Sequence, residues 1–103
     1  MPNSKYNALI MHLNDNVATA VDDLAAGADA KVKIENKNQT IELINDIRFG
    51  HKFALSDINK GEEIKKYGES IGVAITDIKQ GEHVHVHNID SIRGKGAVTK
   101  NEF

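Results

Sequence analysis

At 103 residues the chain holds one domain, and a domain of this size buries only about two-thirds of its extended surface, which leaves little room for a deep private cavity. The net charge of −2 gives no electrostatic case for nucleic acid or an anionic membrane as partner. The absence of cysteine excludes disulfides, thiolate metal ligands and cysteine nucleophiles.

Residues 1–7 read as a polar N-terminal extension. The apolar patch from Ala8 to Met11 is too short for a signal core, and no run approaches membrane-spanning length, so the expected setting is the cytoplasm. Asn7 to Leu13 is compatible with strand or helix, and His12 within it reads as a packed side chain. Asn14-Asp15-Asn16 reads as a turn. Val17 to Val21 is ambiguous, because its alanines favour helix while its alternation with β-branched residues favours a strand. Ala30 to Glu35 alternates cleanly, and Gln39 to Ile44 does so with Ile41 and Leu43 on one face. The turn Asn36-Lys37-Asn38 between them predicts a hairpin. Glu62 to Lys65 and Val73 to Thr76 read as short strands, and no long amphipathic helix is visible.

A local pattern recurs: Asp, then Ile or Leu, two variable residues, then Gly. It occurs at Asp23–Gly27, Asp46–Gly50, Asp57–Gly61 and Asp77–Gly81. The last two copies sit in a longer match, Ala54 to Glu62 against Ala74 to Glu82. Each unit reads as one helical turn, capped at its start by Ser56/Asp57 or Thr76/Asp77 and ended by a glycine in the left-handed region. The copies are too short and too unevenly spaced for a solenoid. The class expected is mostly β, with strands joined by short helical turns.

His83-Val84-His85-Val86-His87-Asn88 is the stretch with most chemical character. In a strand the three imidazoles share one face, about 6.5–7 Å apart, while Val84, Val86 and Ile89 supply the other. Of the three, His83 at the strand start reads as merely exposed. Imidazole is the commonest metal ligand and the usual base near neutral pH. A second cluster, Gly50-His51-Lys52-Phe53, places a histidine and a lysine directly after a glycine turn. A third, Lys65-Lys66-Tyr67-Gly68-Glu69, is a glycine corner whose backbone amides and lysine suit an anion. Together His51, Lys52, Lys66, Tyr67, His85 and His87 suit a carboxylate-bearing small molecule and a divalent metal. Nitrogen and oxygen ligands favour Fe(II), Mn(II) or Zn(II). Two strand histidines can chelate one ion if a further ligand comes from elsewhere, including a second chain.

The run from Gly50 to Ile58, then Gly61-Glu62, then Lys66 to Ala74, then Asp77-Ile78 and Gly81 to Asn88, resembles the SAF domain of the altronate/galactarate dehydratase family. Asp15-Asn16-Val17-Ala18 and the Gly27 turn resemble its opening segment. The resemblance covers most of residues 8–96. Within it, residues 8–89 form the SAF domain and 90–103 a C-terminal tail, where Asn88 to Gly96 is similar to the end of separate small subunits, including those of sulfolactate sulfo-lyase. The resemblance implies a β-clip type fold and a stand-alone small subunit working with a large catalytic subunit. It also implies elimination of water or sulfite from a hydroxy carboxylate, with Fe(II) or Mn(II). On that pattern His51, Lys52, Lys66 and Tyr67 are expected as catalytic residues. Lys52, Lys66 and Asn88 are expected to bind substrate, and His85 and His87 to bind metal. The alternatives are a non-catalytic sugar-acid or carbohydrate binding module and a histidine-rich metal-binding protein; a homo-oligomer is compatible with each.

Overall fold

The computed structural model describes residues 6–34 and 37–91. The strands are β1 (Ala8–Leu9), β2 (Val17–Ala20), β3 (Asp29–Ile34), β4 (Lys37–Glu42), β5 (Lys52–Ala54), β6 (Glu63–Lys66), β7 (Glu69–Ala74), β8 (His83–Val84) and β9 (Ile89–Ser91). They form a six-stranded sheet in the order β4-β3-β1-β2-β5-β8 and a three-stranded sheet in the order β6-β7-β9. Among the described residues only β1 and β3 pair in parallel. The described residues contain no helix, so none is long and apolar enough to cross a membrane.

Strands β2 and β5 form the wall between two apolar clusters. Ala18, Ala20 and Phe53 face one cluster with Val32 and Ile41, while Val17 and Ala54 face the other with Ile64 and Val84. Both faces of β2 are therefore covered, which resolves the ambiguity of Val-Ala-Thr-Ala. A strand buried on both sides has no polar face to alternate with. The hairpin β3–β4 runs in register from Asp29↔Glu42 to Ile34↔Lys37, and Ile41 and Leu43 point inward as their alternation requires. The tip residues 35 and 36 lie outside the described residues. Strand β9 carries the fold to Ser91, two residues into the segment read as tail, and the remainder of that tail lies outside the described residues.

The four Asp-to-Gly units are type II β-turns rather than turns of helix. In each, the N–H of the residue after glycine donates to the carbonyl two residues after aspartate: Ala28 to Ala25, His51 to Arg48, Glu62 to Asn59 and Glu82 to Lys79, at 2.9–3.1 Å. The glycine occupies the third position with φ between +86° and +93°, as that turn type demands and in keeping with the left-handed expectation. The caps differ from the expectation in a more consequential way. No aspartate caps its own turn. Asp23 accepts the Phe49 N–H and Asp46 the Ala26 N–H; Asp57 accepts the Gln80 N–H and Asp77 the Lys60 N–H, all at 2.9 Å. The apolar residue after each aspartate forms a two-bond bridge across the same pair, Leu24 with Ile47 and Ile58 with Ile78. Each glycine N–H donates to the carbonyl of a neighbouring strand or strand end: Gly27 to Leu43, Gly50 to Ala20, Gly61 to Ala74 and Gly81 to Ala54. Each of these carbonyls lies just ahead of the partner unit. The units are thus two reciprocally crossed pairs, one for each cluster.

The β6–β7 connection is a two-residue turn with φ positive at both Tyr67 (60°) and Gly68 (77°), the type I′ geometry of tight hairpins. Its amides do cradle an anion, but one supplied by the chain itself. The half-open loop after β1 delivers Asp15, whose carboxylate accepts the Tyr67 N–H at 3.0 Å and the Gly68 N–H at 2.8 Å. His12, expected to be packed inside, is exposed, with its ring lying close over Gly68.

Two glycines of the second crossed pair separate backbone strain from steric cost. A Cβ at Gly61 would meet nothing within 4 Å, whereas one at Gly81 would run into the Glu42 carbonyl oxygen. Gly61→Ala should therefore cost about 1–2 kcal/mol, the left-handed penalty alone. Gly81→Ala should cost clearly more, read as urea midpoints of the two variants; equal losses would show that the Glu42 approach is soft. Asp15→Ala leaves two turn amides without their acceptor and should cost about 2 kcal/mol by the same measurement.

Candidate functional site

Two turns bring the imidazoles together. The first crossed pair ends at His51, the residue that closes its turn and enters β5. The second pair ends at Glu82 and leads directly into His83 on β8, which pairs with β5 in the register Phe53↔His83. The chain then leaves the sheet. The strand expected over His83 to Asn88 stops at Val84, because Asn88 folds residues 85–88 into a turn. Its backbone N–H donates to the His85 carbonyl at 3.0 Å, its Oδ1 accepts the His85 N–H at 3.0 Å, and its Nδ2 donates to the His83 carbonyl at 2.9 Å. Val86, expected inward, is 61% exposed as a result, while Val84 and Ile89 remain buried.

The outcome is a stack of rings. His51 lies over His83 with centroids 5.1 Å apart and over His85 at 5.1 Å, and His83 and His85 are 5.6 Å apart. One nitrogen of each lies within 4.8 Å of the others. His51 Nδ1 and His83 Nε2 are 3.0 Å apart, so one ring donates its N–H to the other. His87 leans on His83 with centroids 5.3 Å apart but stands outside that trio. His83, read from the sequence as merely exposed, is at the centre of the cluster.

Lys52 lies 2% exposed in the wall strand β5, opposite Thr19 on β2 and Val84 on β8. Burial, with the Lys66 charge second, lowers its pKa from 10.5 to about 8. Thr19 Oγ1 beside it is buried and has no hydrogen-bond partner among the described residues. Lys66 and Tyr67 stand on the other sheet, with the Lys66 ammonium 5.1 Å from the Tyr67 ring centroid and the ring itself exposed at the hairpin turn. Lys66 thus bears on Lys52 through its charge, while Tyr67 makes its ring contact with Lys66. The structure places Asn88, expected to bind substrate, against the backbone of its own segment. The residue is 1% exposed and both atoms of its amide are engaged by the backbone. Asn45, absent from the sequence reading, accepts the His83 N–H at 2.9 Å. It precedes Asp46 as Ser56 precedes Asp57 and Thr76 precedes Asp77, so aligning all the copies singles it out.

Three imidazole nitrogens within 4.8 Å of one another are a donor set that could hold a divalent ion. Imidazole nitrogens bind such ions at about 2.1 Å, which sets two adjacent ligands about 3 Å apart. Burial, then the charges of His51, His87, His85 and Lys52, push the His83 pKa from 6.5 to about 4; burial and then Lys52 lower that of His85. Both rings are therefore neutral near pH 7, with lone pairs available. The unfolded chain takes up the His83 proton near 6.5 and the folded chain only near 4, so the unfolded state binds more protons between them. Stability should accordingly rise with pH from about 4 to about 6.5 and then level off. His83→Gln should shrink the difference in urea midpoint between pH 4.5 and pH 7, measured with a chelator present; an unchanged difference would place the titration elsewhere.

Residues 6–92 match the altronate/galactarate dehydratase SAF domain. The chain is 51% identical over 78 residues to altronate dehydratase of Escherichia coli (strain K12), a match that covers 76% of this chain and 15% of that protein. It is 42% identical over 78 residues to altronate dehydratase of Bacillus subtilis (strain 168), again covering 76% of this chain and 15% of the relative. A third relative is (2R)-sulfolactate sulfo-lyase subunit alpha of Paracoccus pantotrophus, 37% identical over 62 residues, which cover 60% of this chain and 92% of the relative. The chain therefore spans about one-seventh of the dehydratases it matches and most of a lyase subunit. With the match running through both crossed turn pairs and the imidazole cluster, this chain belongs to the altronate/galactarate dehydratase SAF domain family.

Proposed function

We propose that this chain is the small SAF component of a cytoplasmic, metal-dependent lyase that eliminates water from a hydroxy carboxylate together with a large catalytic subunit. The observation that carries the reading is the trio His51, His83 and His85 beside the buried Lys52. In this reading the trio holds Fe(II) or Mn(II), which when bound would supply electrostatic stabilisation of negative charge developing on the substrate. Lys52 and Lys66 bind the substrate carboxylate. With its pKa near 8, Lys52 has a neutral fraction of about a tenth at pH 7, so the same side chain can hold an anion or accept a proton. The small size of the domain leaves the rest of the site to the larger partner. Elimination of sulfite is the second reading, supported by the near-complete coverage of a sulfo-lyase subunit.

Two measurements test this. In anaerobic titrations of the isolated chain with Fe(II) or Mn(II), His51→Ala, His83→Ala and His85→Ala should each weaken binding by about tenfold or more, and His87→Ala by less. In the complex reconstituted with its large subunit, Lys52→Met should lose most activity while assembly persists, with dehydration of a hexonate or aldarate followed alongside sulfite release from a sulfonated hydroxy acid. Full activity in both Lys52→Met and His85→Ala would remove the cluster from the mechanism.

A further inference from the structure

Among the described residues the six-stranded sheet ends at β8, so the outer backbone groups of the strand that carries the histidines have no neighbouring strand there. Side-chain amides take that place. The Asn88 carboxamide accepts from the His85 N–H and donates to the His83 carbonyl, the two bonds that the C=O and N–H of one residue in an adjoining parallel strand would make. Asn45, arriving from the first crossed pair, accepts the His83 N–H. Every one of these bonds ends on a residue that bears an imidazole of the trio.

The spacing shows what the amide does. Side chains two apart in a continuing strand stand about 6.5–7 Å apart. The His83 and His85 ring centroids are 5.6 Å apart, and both stack on His51, because the backbone turns at His85 instead of running on. Burial shields the Asn88 amide from water, which would otherwise compete for the same backbone groups. We propose that Asn88, seconded by Asn45, is a positioning residue that sets the His83–His85 geometry on which metal binding by the trio depends. The inference rests on reading His51, His83 and His85 as the metal site.

The test uses the full chain and Co(II) as probe, with the visible spectrum reporting ligand geometry. Gly61→Ala serves as a control that is destabilised by backbone strain alone, since a Cβ there meets nothing within 4 Å. Asn88→Ala should weaken Co(II) binding by about tenfold to a hundredfold and alter the spectrum, while Gly61→Ala binds as the parent chain does. Asn45→Ala, which removes one bond instead of two, should show a smaller loss. Parent-like Co(II) affinity and spectrum in Asn88→Ala would overturn the proposal. If Asn88→Ala does not fold, Asn88→Asp gives the same readout, since it keeps the acceptor for His85 and lacks the donor to His83. If the parent chain binds no Co(II), the metal reading itself falls, and the positioning role is read from the NMR cross-peak between the His83 and His85 rings. Disappearance of that cross-peak in the Asn88 variant, with its persistence in Gly61→Ala, would support the role; persistence in both would overturn it.

Discussion

Each of the four type II turns is completed by a carboxylate from another turn, 17 to 26 residues away in the chain. A glycine at φ near +90° makes the reversal possible, but the reversal leaves an amide at its second position pointing out of the turn. Where that amide is held by the chain's own partner unit, the two reversals lock at a fixed crossing. The bridges Leu24–Ile47 and Ile58–Ile78 then carry one buried or half-buried aliphatic side chain from each unit towards the cluster beneath. The direction in which every strand leaves a turn follows from this arrangement, including the exits at His51 and Glu82 that deliver the imidazoles.

The wall between the two clusters explains the electrostatics of the site. Strand β5 is buried at Lys52, Phe53 and Ala54 in succession, so its lysine has a low-polarity surround on a strand with no solvent face. Such a position disfavours the charged form, and the neighbouring Lys66 charge adds to the effect. The same low-polarity surround, together with mutual proximity, keeps His83 and His85 neutral. An ammonium that gives up its proton readily thus stands beside imidazoles that resist taking one. This is an environment suited to anions and to cations with nitrogen ligands.

Much of this is legible in the residues. The β class, the hairpin and the left-handed glycines follow from composition and period, while the grouping of His51, Lys52 and the His83–His87 run rests on residue type and on the resemblance. What fails does so for identifiable reasons. A cap is read locally, as the nearest aspartate to the nearest amide, yet Asp57 serves Gln80 because the units cross in space. The alternation from His83 to His87 has the period of a strand, yet the Asn88 side chain outcompetes the ladder from His85 onward. The same strand assumption pairs His85 with His87, whereas the nitrogens that lie close together are those of His51, His83 and His85. Asn45 carries a signal only when all the turn units are aligned, and Thr19 carries none, since its buried hydroxyl is recognised only in three dimensions.

The crossed turns also set an order of events during synthesis. Asp23 leaves the ribosome 26 residues ahead of the Phe49 amide that it holds, and Asp57 leaves 23 ahead of Gln80. At about 5–20 residues per second that is a wait of roughly one to five seconds, during which neither turn of a pair can close on its partner. Local nucleation is therefore weak, and the chain falls with the slow, non-local β topologies rather than the fast helical ones. The first pair is complete once His51 has emerged, a full 31 residues before Glu82 can close the second. The half that carries His51 can thus be in place as a template before the half that carries His83 and His85 is made.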